Sequence, residues 1–368
     1  MHRVAIASKK GYQFSISAPA LSCRQRVNSS RMTTAAAVSK DDLRIPLIDF
    51  SLYLQGSLSQ KQAASQSILE GFRTAGFVYL TNYGIPTSTV QEIFSFSSRF
   101  FTRPQEQKDD LTWTSPESNR GYSAPGREKV TNLADKDAVE ALRSQTPDLK
   151  ESFEIGRDDE DGYPNNWPDR FDQEGERFKV SMNEFFGTCK SVHMQVMRAL
   201  ALGLGVEESF FDEYTDGGDN TLRLLHYPAV DKNIFVANQG QVRAGEHTDY
   251  GSITLLFQDD RGGLQVKSPK GTFVNATPIP NTIVVNAGDL LQRWANDTIK
   301  STGHRVVEPP IPPTSNEYPA RYSIAYFCNP NFEKFIDAIP GTYGNEGKKY
   351  AGVNSGEYIV KRLGETYE

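Results

Sequence analysis

His247, Asp249 and His304 supply two imidazoles and one carboxylate, a donor set that holds one face of a ferrous ion and leaves the opposite face open. Arg321 and Ser323 follow a short way beyond the last histidine. A guanidinium there can grip an acidic co-substrate that lands on the open face. The combination points to chemistry with dioxygen. Taken alone, His-x-Asp is a weak signal in a chain with 46 acidic residues, and either histidine singly reads as an ordinary surface or core residue. The chain has only five histidines, so chance must explain more when the pattern is taken jointly. On a strand, His247 and Asp249 project from the same face, and Arg321 and Ser323 repeat that relation on RYSIAYF.

The period of two extends the prediction. On TLRLLHYP, Arg223, Leu225 and Tyr227 share a face opposite Leu224 and His226. On RYSIAYFC, Arg321, Ser323, Ala325 and Phe327 share a face opposite Tyr322, Ile324 and Tyr326. If these polar sets faced solvent, Phe327 would be exposed with them. Facing inward, they line a pocket with a few placed polar groups, as ligand sites do. A buried Arg321 then needs a counter-charge, which a bound carboxylate supplies. A 2-oxo acid fits: its C1 carboxylate and keto oxygen reach the metal, and its far carboxylate reaches Arg321, with Ser323 and Tyr227 adding hydrogen bonds. Dioxygen takes the remaining position, and oxidative decarboxylation to succinate and carbon dioxide is coupled to oxidation of a nearby C–H bond. His226 points the other way by alternation and is left out.

The elements that must position these groups fall into a helical front and a strand-rich rear. Arg44 to Phe50 reads as a strand and as the start of ordered structure. Gln60 to Ala75 reads as a helix, Phe77 to Leu80 as a buried strand and Val90 to Phe101 as a second helix ended by Pro104. Thr112 to Arg127 is polar, rich in Gly and Pro, and long enough to suggest a functional loop. From Phe178, apolar residues through Leu200 recur at steps of three and four, a core-packing stripe stopped by Gly203 and Gly205. His193 beside it reads as structural. Short β-prone runs follow at Thr221–Tyr227, Ile253–Phe257, Gly263–Val266, Thr282–Asn286 and Arg321–Cys328. The fold expected is mainly β with flanking helices: a double-stranded β-helix, or jelly roll, behind a helical N-terminal section. The expected divisions are a leader (1–43), an N-terminal region (44–165), a bracing helix (166–215), the jelly-roll core (216–332) and a C-terminal extension (333–368).

The 368 residues can bury a sizeable core, and the formal net charge of −6 without a basic stripe argues against nucleic acid as a partner. Cys23, Cys189 and Cys328 are scattered and read as free thiols of a reducing compartment. No apolar run is long enough to span a bilayer, so no membrane partner is expected. The first acidic residue is Asp41, after seven lysines and arginines. That composition resembles a mitochondrial transit peptide; the alternatives are a disordered tail or a start at Met32, and the expected location is cytoplasmic with mitochondrial as the alternative.

At these residues the chain resembles the Fe(II)/2-oxoglutarate dioxygenases of the isopenicillin N synthase-like superfamily. RIPLIDF, AGFVYLTNYGIP and FFTRPQEQK are similar to its N-terminal region; GEHTDYGSITLLFQDDRGGLQV and NTIVVNAGDLL are similar to its catalytic core. The resemblance implies Fe(II) on His247, Asp249 and His304, 2-oxoglutarate on Arg321, Ser323 and Tyr227, O2 as co-substrate and ascorbate as a supporting reductant. NRGYSAPGREKV, LRLLHYPAV, NDTIKST and RYSIAYFCNPN further resemble the fungal thymine dioxygenase family. That implies stepwise oxidation of the thymine 5-methyl group to 5-hydroxymethyluracil, 5-formyluracil and 5-carboxyuracil. It also implies Phe327 stacking on the base and Asn119, Arg223 and Tyr250 meeting its polar edges. Tyr83, the pair Leu225-His226 and the proline-rich stretch Pro309 to Ala320 depart from common superfamily patterns and argue against a plant-hormone-type substrate. The same chemistry on another small molecule, a non-catalytic regulatory protein of the same fold, and an oxidase that uses iron without 2-oxoglutarate are the alternative readings.

Overall fold

The apolar stripe that starts at Phe178 is one face of a long helix, Gln173–Leu204, and every member of the stripe through Leu200 is buried. The Asp172 carboxylate caps its first turn by accepting from the Gly175 N–H at 2.7 Å. Gly205, with φ of 78°, closes it in the left-handed conformation that glycine adopts without strain. Gly203 stays inside the helix; a Cβ there would press on the Ser65 carbonyl of the helix Leu58–Thr74 packed beside it. That neighbouring helix begins with a Ser57–Gln60 capping box. A third helix, Thr87–Phe101, follows the buried strand Phe77–Thr81.

The computed structural model describes residues 35–127, 148–237, 242–309, 316–345 and 347–367. The leader through residue 34, with Cys23 and Met32, lies outside the described residues. In chain order the strands are β1 (Ala36–Lys40), β2 (Leu43–Asp49), β3 (Phe77–Thr81), β4 (Gly121–Ser123), β5 (Glu151–Ile155), β6 (Thr221–Tyr227), β7 (Val230–Asp231), β8 (Ala244–His247) and β9 (Ile253–Gln258). They continue as β10 (Leu264–Lys267), β11 (Phe273–Asn275), β12 (Thr282–Ala287), β13 (His304–Val306), β14 (Glu317–Tyr318), β15 (Arg321–Cys328), β16 (Phe335–Ile336) and β17 (Val353–Asn354). Nine form one sheet in the order β1-β2-β3-β12-β9-β15-β6-β5-β4, and four form a second in the order β11-β10-β13-β8. β7 pairs with β14, and β16 with β17.

The two larger sheets share an apolar layer, with Phe77, Tyr79, Leu225 and Val284 from the first meeting Leu264, Val266 and Val306 from the second. The other face of the nine-stranded sheet packs on the helices. Leu224, Leu255, Phe257 and Tyr326 meet the long helix there, with Phe185 against Phe257 at 5.3 Å and Phe186 against Tyr326 at 5.1 Å between ring centroids. This is the expected jelly roll braced from outside by helices. Each large apolar side chain so buried contributes roughly 1.5–3 kcal/mol.

β1 lies upstream of Arg44 and pairs antiparallel with β2, so Ala36–Lys40 belongs to the sheet. β5 was not legible, because Glu151 and Glu154 make its sequence look solvated; both are buried and paired. Among the described residues no helix is long and apolar enough to cross a membrane. Cys189 and Cys328 are free and buried, and burial pushes both thiols well above their usual range.

Candidate active site

β13 lies against β8 with His304 directly opposite His247, which brings the two imidazoles together at 4.3 Å between ring centroids. Asp249 is not on the strand, as alternation had suggested. The chain leaves the ladder after His247, and the turn that follows swings the carboxylate back between the two rings. Asp249 Oδ1 lies 3.9 Å from His247 Nε2 and 3.7 Å from His304 Nε2. The three ligand atoms all lie within 4.8 Å of one another.

Hydrogen bonds outside this cluster fix which atoms face inward. His247 Nδ1 sits 2.8 Å from the Gly245 carbonyl and His304 Nδ1 3.2 Å from the Thr302 carbonyl. A carbonyl only accepts, so each Nδ1 carries the proton and each Nε2 keeps a lone pair free for a shared ion beside Asp249 Oδ1. Asp249 Oδ2 accepts from Thr254 Oγ1 at 2.5 Å and Asn286 Nδ2 at 2.7 Å, which leaves Oδ1 for the cluster. Burial opposes ionisation of Asp249, but His304, His247 and these two hydrogen bonds outweigh it and hold the carboxyl below its usual range. Burial, then the neighbouring His304, pushes the His247 imidazole down, so it stays neutral. Two imidazole nitrogens and one carboxylate oxygen converging from one side fit Fe(II).

One cavity runs from this cluster between the two sheets to Arg321, passing Leu225, Tyr227, Ser323 and Ala325. The strand periods therefore predicted the lining correctly. Arg321 is 1% exposed. Its Nε donates to the Gly262 carbonyl at 2.8 Å, and its Nη1 to Ser323 Oγ at 3.1 Å. The guanidinium lies over the Tyr227 ring at 4.8 Å. Gly262 has φ of 77°, a backbone setting that glycine accepts and that a side chain would strain. No carboxylate lies within salt-bridge distance of Arg321 among the described residues, and Asp259 feels its charge only from farther off, so the buried guanidinium suits a bound anion. Lys150, buried and 3.6 Å from Asp148, lines the same cavity and was not foreseen. Arg243 is fully buried nearby and donates to the Pro319 carbonyl at 3.1 Å; burial, then the Arg321 charge, pulls its pKa to about 10.

A second cavity shares His247 and Asp249 with the first and is lined by Asn119, Arg223, Tyr250 and Phe327. All four residues expected around a substrate thus lie on one wall system beside the cluster. Arg223 Nε is 2.7 Å from Glu154 Oε1, and the guanidinium sits 5.5 Å from the Phe327 ring. The sequence did not reveal that the C-terminal helix Ser355–Tyr367 closes this cavity with Ile359, Leu363 and Thr366. Thr366 Oγ1 is hydrogen-bonded to the Tyr250 hydroxyl. Arg362 Nη1 donates to Asp289 Oδ2 at 2.5 Å, and the same oxygen accepts from Thr248 Oγ1 at 2.9 Å. Amphipathic spacing in SGEYIVKRLGETY is the signal that could have found it.

His226 does turn away from both cavities, but not into solvent. It bonds Glu151 Oε1 at 2.7 Å and stacks on Tyr322 at 4.6 Å. His193 is fully buried beside Ser252, away from the cluster.

A family model described as the 2OG-Fe(II) oxygenase superfamily matches residues 218–330. A second, described as the non-haem dioxygenase in morphine synthesis N-terminal region, matches residues 45–170. A curated relative, the proline hydroxylase buaE of Petromyces alliaceus, is 35% identical over 331 residues, 88% of this chain and 100% of that protein. The crystal structure of the full-length thymine 7-hydroxylase of Neurospora crassa in complex with alpha-KG and thymine superposes with a TM-score of 0.84 at 59% identity, covering 90% of this chain and 99% of that one. The same protein in complex with alpha-KG and 5-formyluracil gives a TM-score of 0.82 at 56% identity, covering 89% and 98%.

Proposed function

We propose that this chain, which belongs to the 2OG-Fe(II) oxygenase superfamily and is a 2-oxoglutarate-dependent dioxygenase, oxidises the 5-methyl group of thymine. The products are 5-hydroxymethyluracil and then 5-formyluracil and 5-carboxyuracil, with succinate and carbon dioxide released at each step. The observation that carries this reading is the convergence of Asn119, Arg223, Tyr250 and Phe327 on a cavity that shares His247 and Asp249 with the co-substrate cavity. The 59% identity to a protein solved with thymine supports it.

Held by His247, Asp249 and His304, Fe(II) supplies the activation of dioxygen that couples decarboxylation of 2-oxoglutarate to hydroxylation of a C–H bond. The chain's own groups do the rest. Arg321 presents a planar fork to the far carboxylate of 2-oxoglutarate, and Ser323 and Tyr227 add hydrogen bonds. The bond to Gly262 and the Tyr227 ring keep the fork in place before the acid arrives. Phe327 offers a ring face to the flat pyrimidine, while Asn119, Arg223 and Tyr250 meet its polar edge. Ile359 and Leu363 cover the base and keep water from the reacting methyl group.

Incubation with Fe(II), 2-oxoglutarate, ascorbate and thymine tests the reading: 5-hydroxymethyluracil should form. A second reading is the same chemistry on another small molecule, favoured by the full-length match to a proline hydroxylase. Succinate release with such a compound and none with thymine would select it. We also propose a cytoplasmic location, with mitochondrial import as the alternative; a fluorescent reporter fused to residues 1–43 separates the two.

A further inference from the structure

The loop that carries Asn119 also fixes which way its amide faces. Trp113 Nε1 donates to Asn119 Oδ1 at 3.0 Å. An indole N–H is a donor only, so it must meet the amide oxygen and never the amide nitrogen. That bond turns the Asn119 NH2 group the opposite way. One of its hydrogens goes to Thr221 Oγ1 at 3.2 Å, and both residues line the second cavity, so the other hydrogen is free for a ligand. Trp113 has little freedom to release the bond. It is 4% exposed, packs with Ile359 and Leu363 of the C-terminal helix, and carries Arg127 over its ring at 5.2 Å. Asn119 itself has φ of 45°, a left-handed setting that asparagine tolerates well, and its backbone N–H is tied to the Ser115 carbonyl at 2.8 Å.

Arg223 reinforces the same polarity. A guanidinium has no acceptor, and its Nε is engaged by the fully buried Glu154 at 2.7 Å. Asn119 and Arg223 both line this cavity, so a planar ligand there meets two donor-bearing side chains. Thymine offers a carbonyl acceptor at C2 and another at C4. A 5-methylpyrimidine with an amino group in place of either carbonyl must set N–H against N–H at one of the two contacts.

We propose that Trp113 is a specificity-determining positioning residue. By locking the Asn119 amide with its NH2 toward the cavity, it makes the site select a carbonyl oxygen over an amino group at the ring position that Asn119 faces. This rests on the thymine reading given above.

The test measures kcat and KM for thymine, 5-methylcytosine and 5-methylisocytosine in the wild type, Trp113→Phe and Asn119→Asp. The wild type should favour thymine over both amino analogues by at least about tenfold in kcat/KM. Trp113→Phe frees the amide to turn, so the preference over one analogue should narrow by about tenfold, mainly through KM. That analogue is 5-methylcytosine if Asn119 faces C4 and 5-methylisocytosine if it faces C2. Asn119→Asp puts an acceptor where the NH2 stood, leaves Trp113 intact, and should shift preference toward the same analogue further than Trp113→Phe does. A merely structural loss would lower all three substrates in proportion. That result in both variants, with thymine still oxidised by the wild type, overturns the proposal and leaves the thymine reading standing. A wild type that releases succinate only with an unrelated small molecule overturns the thymine reading and the proposal with it.

Discussion

Arg321 and Tyr227 face each other across the β6–β15 ladder, and the guanidinium lies 4.8 Å over the phenol ring. Side chains at directly paired positions are the closest neighbours a sheet offers, so the strand register itself sets the angle at which the buried cation enters the cavity. Arg321→Leu should raise the KM for 2-oxoglutarate by at least about 100-fold, because a desolvated charge pair is lost. Arg321→Lys should recover only part of this, since a point charge cannot reproduce the fork. Succinate formation as a function of 2-oxoglutarate concentration checks both. Unaltered turnover in Arg321→Leu would mean that the arginine holds no co-substrate.

Asn286 is not one of the three candidate ligands, yet it donates to Asp249 Oδ2 at 2.7 Å. Asn286→Ala should weaken Fe(II) binding by about 10- to 100-fold while leaving the fold intact, and His304→Ala should abolish turnover. Titration of the metal-free protein with Fe(II) under anaerobic conditions reads the first. Nitrogen and oxygen donors bind Co(II), Ni(II) and Cu(II) more tightly than Fe(II). These ions should inhibit, and chelation followed by Fe(II) should restore activity.

The link Arg362–Asp289–Thr248 ties the C-terminal helix to the turn between two metal ligands. Arg362 also lies 4.4 Å over the Tyr250 ring. Arg362→Ala should raise the KM for thymine severalfold and leave the KM for 2-oxoglutarate within about twofold, because a partly exposed ion pair is worth about 1 kcal/mol or less and the co-substrate cavity lies elsewhere. Equal changes in both constants would show that the helix supports the whole fold rather than the substrate cavity.

His193 is fully buried, and burial pushes its imidazole down to about 3. The unfolded chain binds this proton near pH 6.5, so between about pH 6.5 and 3 the unfolded state holds more protons than the folded one. Its stabilising effect is therefore complete above pH 6.5 and declines as pH falls through that window. The wild type should lose on the order of a few kcal/mol across the window from this group. His193→Leu should show a shallower acid dependence in urea unfolding; an identical slope would mean that His193 protonates freely in the folded state.

Strand period two placed Arg223, Tyr227, Arg321, Ser323 and Phe327 correctly because those strands are buried on both faces and their register admits no slip. Asp249 joined the triad for a different reason from the one its spacing suggested. The turn after β8, held by the Asp289 N–H bonded to the Asp249 carbonyl at 2.8 Å, brings it round. The β5 residues were hidden because a buried Glu154 is intelligible only once Arg223 lies beside it. Trp113 lies in the stretch read only as a polar loop; its role depends on Asn119 and on a helix from the far end of the chain. Local pattern carries facing, whereas pairing between distant segments appears only in three dimensions.

The most direct measurement follows succinate and 5-hydroxymethyluracil together in one reaction of the protein with Fe(II), 2-oxoglutarate, ascorbate, dioxygen and limiting thymine. Thymine oxidation at the site of His247, Asp249, His304 and Arg321 predicts early formation of the two products in equal amounts, with neither appearing in His304→Ala. Succinate formation that thymine does not stimulate, with no 5-hydroxymethyluracil, would contradict it.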